Sequence, residues 1–307
     1  MESLVIPVET VTPLLLGGAY LGGEPELRPP SLRGALRFWF RAILGASLGN
    51  DLQRIARAES EIFGSTQQAG LLIVRMRVDG KLEAKQFSLF LHSKPEAKSK
   101  GFPPGQRFEI CLISPYSSAL EQAKKALQLL SYVGGLGRRS RRGFGSIQIV
   151  DSPMSIQASQ PDNLAEVLQQ RLQEILPNKS PQLSLVPKFP CLHPQWSQVR
   201  VCCQKFNKWE EAISYVMQKA HEYKNPALGW APLQTDAGRQ ASPVHFHVAK
   251  LASEGYALVL TIMLSEINPS LQTQANREKL VQFLACFEGA EVWGFRDVPE
   301  RWPTDKT

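Results

Sequence analysis

Apolar positions along the chain change period several times, and each change marks an element. From Ser3 to Leu16 they alternate around Leu4, Ile6, Val8 and Val11, the two-residue period of a half-buried strand. A loop bearing Gly17, Gly18, Gly22 and Gly23 follows and closes on Glu24–Pro30. There Pro29 and Pro30 predict extended chain up to Ser31, a candidate N-cap. The period then lengthens. Leu32, Leu36, Trp39, Phe40 and Ile43 recur every three or four residues, which predicts a helix over Leu32–Ala46. A second helix is expected over Asp51–Phe63, capped by Asp51 and stopped by Gly64.

Strands are expected at Gly70–Val78 and Glu83–Leu91, then a mobile polar segment over His92–Gly105, then a strand at Arg107–Ser114. Pro115 opens a helix at Tyr116–Val133, and a glycine-rich loop leads into a last strand, Phe144–Val150. The order βααβββαβ contains a βαββαβ core with one extra helix and one extra strand. That is an α+β class fold, ferredoxin-like and of the RNA-recognition-motif type, with antiparallel sheets and helices packed on one face.

Residues 154–307 read less regularly. Helices are expected at Pro161–Leu176, Lys208–Tyr223 and Ser270–Phe287, and strands at Pro243–Lys250 and Tyr256–Leu264. A proline-bearing linker covers 177–196, and a polar end follows Phe295. The chain therefore divides into a first module, 1–153, and a degenerate second one, 154–307. Arg239–Pro243 (RQASP), set before a strand, faintly repeats the approach of Arg28–Ser31.

Charge separates the halves further. The net charge of +7 lies wholly in residues 1–153, with 20 Lys/Arg against 13 Asp/Glu, while residues 154–307 hold 15 of each. Such asymmetry points to a polyanionic partner for the first half. No run of about 18 apolar residues offers a membrane span, and MESLVIPVETV lacks the basic start of a signal peptide, so a cytoplasmic protein without a membrane partner is expected. Five scattered cysteines without C-x-x-C spacing argue against a disulfide framework. His245 and His247 share a strand face and Cys191 lies two residues from His193, but no third ligand completes either pair. No metal or cofactor is expected.

Two basic elements carry the candidate chemistry. The loop Gly134–Ser146, GGLGRRSRRGFGS, combines Gly134, Gly135, Gly137, Gly143 and Gly145 with Arg138, Arg139, Arg141 and Arg142, and holds no acidic residue. Glycines admit close backbone approach, and guanidiniums grip phosphates through paired N–H groups. In the first helix Arg33, Arg37 and Arg41 stand four apart along one side, where like charges repel by about 0.2–0.5 kcal/mol per pair. Either a polyanion or Glu59 and Glu61 of the next helix offsets that. Ile147 and Ile149 share the core face of the last strand, which sends Phe144 to the other face, where a ring stacks on a base. A bulge at Gly145 would instead bury it.

TPLLLGG (Thr12–Gly18), ELRPPSLRGALRFWFRA (Glu26–Ala42), EIFGS (Glu61–Ser65), GGLGRRSRRGFGS and RQASPVHF (Arg239–Phe246) resemble the RAMP superfamily of CRISPR proteins. Within it they are most similar to the subunit family named first in the type III-B (Cmr) effector complexes. The resemblance implies two ferredoxin-like modules and a non-catalytic RNA-binding subunit at the guide-RNA 3′ end, one that contacts neighbouring RAMP subunits and assists target RNA capture in antiviral defence. Its partners would be single-stranded guide and target RNA. The arginines it marks as RNA contacts are Arg28, Arg33, Arg37, Arg41, Arg138, Arg139, Arg141 and Arg142. The alternative is a metal-independent guide-processing endoribonuclease of the RAMP type, which needs a general base near a 2′-hydroxyl. His92 is the one tolerable candidate.

Overall fold

The computed structural model describes residues 1–18, 23–90, 94–229, 240–268 and 271–303. The first half runs β1 (Glu2–Thr10), α1 (Pro29–Leu48), α2 (Leu52–Phe63), β2 (Ile73–Arg77), β3 (Lys85–Phe90), β4 (Lys94–Gly101), β5 (Arg107–Ser114), α3 (Ser117–Val133) and β6 (Ile147–Ile149). Its four-stranded sheet has the order β2-β5-β1-β6, with every neighbour antiparallel. That is the strand order of a ferredoxin-like βαββαβ unit. Ile6, Val8, Ile110, Leu112, Ile147 and Ile149 point inward and are buried with α1 and α3.

The second half runs α4 (Pro161–Ile175), β7 (Ser197–Phe206), α5 (Trp209–Glu222), β8 (Val244–Lys250), β9 (Tyr256–Met263), α6 (Gln274–Ala285) and β10 (Gly289–Gly294). The order β10-β7-β9-β8 repeats the same topology. The sequence reading lacked both β7 and β10. The first, SQVRVCCQKF, is buried on both faces over Ser197–Val199 and carries a register break beyond Val201, so it shows no clean alternation. The second is six residues between two glycines and rests on pairing alone.

Alternation in β8 sets how the modules join. Val244, Phe246 and Val248 pack with α5 and α6 in one core. His245 and His247 turn to the other face, toward α1 and α3. α4 covers the remainder of that face through Leu164, Leu168 and Leu172, which share a core with Val199 and Val201. The second sheet is therefore buried on both sides.

Three local expectations change. Pro29 and Pro30 are the first residues of α1 itself, after Arg28 as N-cap, because proline's fixed φ suits a first turn whose N–H groups need no partner. Ser31 is thus inside the helix. The segment expected to be mobile contains β4, which forms a separate two-stranded sheet with β3. Its sequence KPEAKSKG has no apolar alternation, and the strand depends on cross-strand pairing and on the Leu14–Phe102 bridge at its exit. Asp51 does cap α2, accepting from the Arg54 N–H at 3.1 Å.

Candidate nucleic-acid interface

The glycine–arginine loop is stitched to the segment after β1. The Arg138 N–H donates to Leu15 O at 2.9 Å and the Gly145 N–H to Pro13 O at 2.9 Å. The Thr12 hydroxyl donates to Gly143 O at 2.7 Å and accepts from the Ser146 N–H at 2.9 Å. Inside the loop Ser140–Arg142 make one 3-10 turn after Arg139, which takes a left-handed φ of 59°. Glycine is required by contact at several of these positions. A Cβ at Gly134 would lie 2.6 Å from the Trp39 indole, and one at Gly145, where φ is +66°, would lie 1.8 Å from Leu136 O.

The four loop arginines divide. Arg138 is exposed, and its guanidinium makes no hydrogen bond or ion pair among the described residues. Arg141 donates to Ser242 O at 2.8 Å and Arg142 to Leu228 O at 3.4 Å, so both tie the loop to the second module. Burial, with Arg139 and Arg141 nearby, pulls the Arg142 pKa down to about 10. Its Nη1 is buried without a hydrogen-bond partner among the described residues. None of Arg138, Arg141 and Arg142 meets a carboxylate among the described residues.

Loop and α1 together bound a cleft of about 390 Å³. Gly135, Gly137, Arg138 and Arg141 form one side; Ser31, Ala35, Phe38 and Trp39 form the other; His245 closes the back. A second cleft, about 210 Å³, shares Leu15, Leu16, Gly17 and Arg138 with the first and leads to Lys98 and Lys100 of β4. Lys100 is held by Glu24. The two hollows form one basic path with Arg138 at the junction.

The arginine stripe of α1 does not enter this path. At 100° per residue, positions 33 and 37 lie more than about 120° round the helix from the mean direction of 31, 35 and 38, and position 41 about a quarter turn from it. Arg37 and Arg41 both bind the buried carboxylate of Glu59 on α2, Arg41 at 2.8 Å, and Arg33 donates to Leu72 O at 3.2 Å. Of the two partners open to this stripe, the carboxylate is the one present: Arg37 and Arg41 hold α2 and Arg33 holds the entry to β2, away from the loop's cleft. Arg28, exposed at the helix start, reaches Gly18 O at 3.5 Å. Replacing Glu59 by Ala removes the acceptor shared by two guanidiniums. It is expected to cost about 1.5–3 kcal/mol in urea denaturation, as for lost hydrogen bonds to charge. An unchanged midpoint would mean that the stripe is merely solvated.

Phe144 is corrected too. It is fully buried in the second module's core, near Val248 and Ile213, and no face is open to a base. Positive φ at Gly143 and Gly145 breaks the parity counted back from Ile147. His92 lies outside the described residues, as does Arg239. His193 bonds Pro181 O at 2.7 Å and His247 Nδ1 bonds Gly134 O at 2.8 Å. Among the described residues no three His, Cys, Asp or Glu are grouped to hold a metal, and no helix is long and apolar enough to cross a membrane. The sequence reading weighed His245 only as half of a metal pair and missed Phe38, Leu15 and Leu16 as cleft walls. The strings TPLLLGG and RQASPVHF contained three of these four residues.

Comparison with known proteins agrees with this architecture. Residues 8–148 match the family model of the RAMP superfamily. The Cmr subunit Cmr1-1 of Pyrococcus furiosus is 26% identical over 303 residues, covering 87% of this chain and 89% of that protein. Cmr1-2 of the same organism is 28% identical over 180 residues, covering 48% of this chain and 96% of its own. Among solved structures, apo Cmr1 from Pyrococcus furiosus superposes with a TM-score of 0.68 at 23% identity, covering 96% and 99% of the two chains. A chain of the type III-B Cmr-beta complex bound to cognate target RNA gives 0.62 at 11% identity, covering 92% and 99%. At those identities the structures speak for the fold.

Proposed function

We propose, on the premise that residues 8–148 are a RAMP-superfamily module in a chain similar to Cmr1 throughout, that this protein is an RNA-binding subunit of a type III-B CRISPR ribonucleoprotein effector. It holds the 3′ end of the guide RNA, assists capture of the target RNA and acts beside other RAMP subunits without cleaving RNA itself. Modules 1–153 and 154–307 form one body around the loop. The observation that carries this reading is the glycine–arginine loop lining an open cleft, with Arg138 and Arg141 in its wall and neither meeting a carboxylate among the described residues. Phosphate contacts of this kind give affinity without sequence preference.

The test is a filter-binding series on the intact chain with single-stranded RNA of mixed sequence. Arg28, Lys98, Arg138 and Arg141 can engage about four phosphates, so log K should fall against log salt with a slope of roughly −3. Arg138→Ala should reduce that slope by about 1. The RNA should remain intact with and without Mg²⁺. A flat salt response would overturn the electrostatic reading, and specific cleavage abolished by His92→Ala would favour the endoribonuclease.

A further inference from the structure

The cleft behind Arg138 has a chemistry that phosphate binding does not use. Its mouth is cationic, but its interior is not. Leu15, Leu16, Ala35, Phe38 and the Trp39 indole supply apolar and aromatic wall. Phe38 is only half-buried, and it lies parallel to His245, with ring centroids 5.4 Å apart and planes 29° apart. His245 is itself 6% exposed, and its Nε2 has no hydrogen-bond partner among the described residues. A buried polar nitrogen without a partner is costly, and this one belongs to a side chain in the cleft wall.

We propose that this cleft takes one unpaired nucleobase, edge-on to His245 and against Phe38, with the phosphate of the same nucleotide at Arg138. The proposal rests on the RNA-binding reading and adds a base subsite to it.

The groups facing His245 are Phe38 and Trp39 of α1 and, from the loop, Arg141 and Arg142. Burial and those two arginines hold the imidazole well below its ordinary pKa, so it is neutral. A neutral imidazole nitrogen donates or accepts according to its tautomer, and a nucleobase edge carries both kinds of partner for it. Inorganic phosphate has no ring to lay against Phe38. The volume, about 390 Å³, lies in the range of small-ligand sites, roughly 300–1,000 Å³, and suits one nucleotide rather than a stack. The loop backbone at Gly135 and Gly137 presents no side chain that would fill it.

Two measurements on the intact chain test this. In the first, a single abasic ribose is moved along a bound oligoribonucleotide of about ten residues. One position should lose about fivefold to a hundredfold in affinity, the range for one stacked base, while the others lose less than about twofold. In the second, AMP, CMP, GMP and UMP are titrated while the His245 imidazole resonance is followed by NMR. At least one should move it saturably, and inorganic phosphate should not. A Gly17→Leu variant supplies the occlusion control. Gly17 stands on the rim that the two clefts share, and a Cβ there meets nothing within 4 Å, so leucine is accommodated without displacing the backbone. It should abolish both the abasic-position penalty and the nucleotide shift.

RNA binding with uniform abasic tolerance and an unmoved His245 would overturn the base subsite and leave the proposed function standing. An equal response to inorganic phosphate would reduce the cleft to an anion site and overturn it as well. Should the nucleotides move His245 while RNA of any kind fails to bind, the subsite holds and the proposed function falls.

Discussion

Gly145→Ala is expected to destabilise the protein by about 3–5 kcal/mol, a loss reserved for strain and steric conflict at special backbone positions. At φ +66° an alanine pays for the left-handed conformation, roughly 1–2 kcal/mol by itself. The larger part is contact. The new Cβ would meet Leu136 O at 1.8 Å, and that neighbour is backbone, so no rotamer change relieves it. Leu136 and Gly145 are also joined by an N–H···O bond of 2.9 Å, and the Gly145 N–H holds Pro13 O. Any movement therefore opens the seam between β1's exit and the loop. The melting temperature should drop by about 6 °C or more, and RNA affinity should drop with it as Arg138 loses its seat on Leu15. Gly17→Ala, set in open space, is the neutral control. A Gly145→Ala protein that melts within about 2 °C of the parent would mean that the loop adapts freely.

The second large effect is acid lability from the histidines between the modules. Burial pulls the His247 pKa down to about 4, against an ordinary value of 6.5, with its bond to Gly134 O opposing only part of the shift. His245 is lowered in the same direction by burial and by Arg141 and Arg142. Between those two pH values the unfolded chain binds a proton that folded His247 refuses, so stability falls as pH falls from 6.5 toward 4. At roughly 1.4 kcal/mol per pH unit, His247 alone withdraws about 3 kcal/mol by pH 4. Burial alone would raise the Glu9 carboxyl, but hydrogen bonds from Lys250 and Arg107 outweigh it and lower its pKa. Its share of stability is lost at still lower pH, in the same direction. Urea denaturation between pH 7 and 5 should show the decline, and His247→Gln should flatten it. An identical pH slope in that variant would place the lability elsewhere.

The first module was legible because its sheet follows simple rules. Leu4, Ile6 and Val8 alternate, Asp51 caps, Gly64 stops a helix, and the strand count fits one topology. Much of the second was not legible. Burial on both faces removes the alternation that betrays a strand such as β7, and the strand β10 has too few residues to show a period at all.

Sequence alone determined the glycine–arginine loop, its place between α3 and β6, the excess of positive charge in the first half and the family resemblance. These are properties of composition and order, which need no partner across space. What the arginines face was decided only by the tertiary structure. A helix of 3.6 residues per turn puts Arg37 and Arg41 on Glu59 and turns Phe38 and Trp39 to the cleft, and nothing in the string says which side meets the loop. Two positive-φ glycines put Phe144 into the core against strand parity. His245 becomes a cleft wall because β8 lays one face on the first module, a contact between residues more than 200 positions apart. Periodicity is local, and packing across that distance is not.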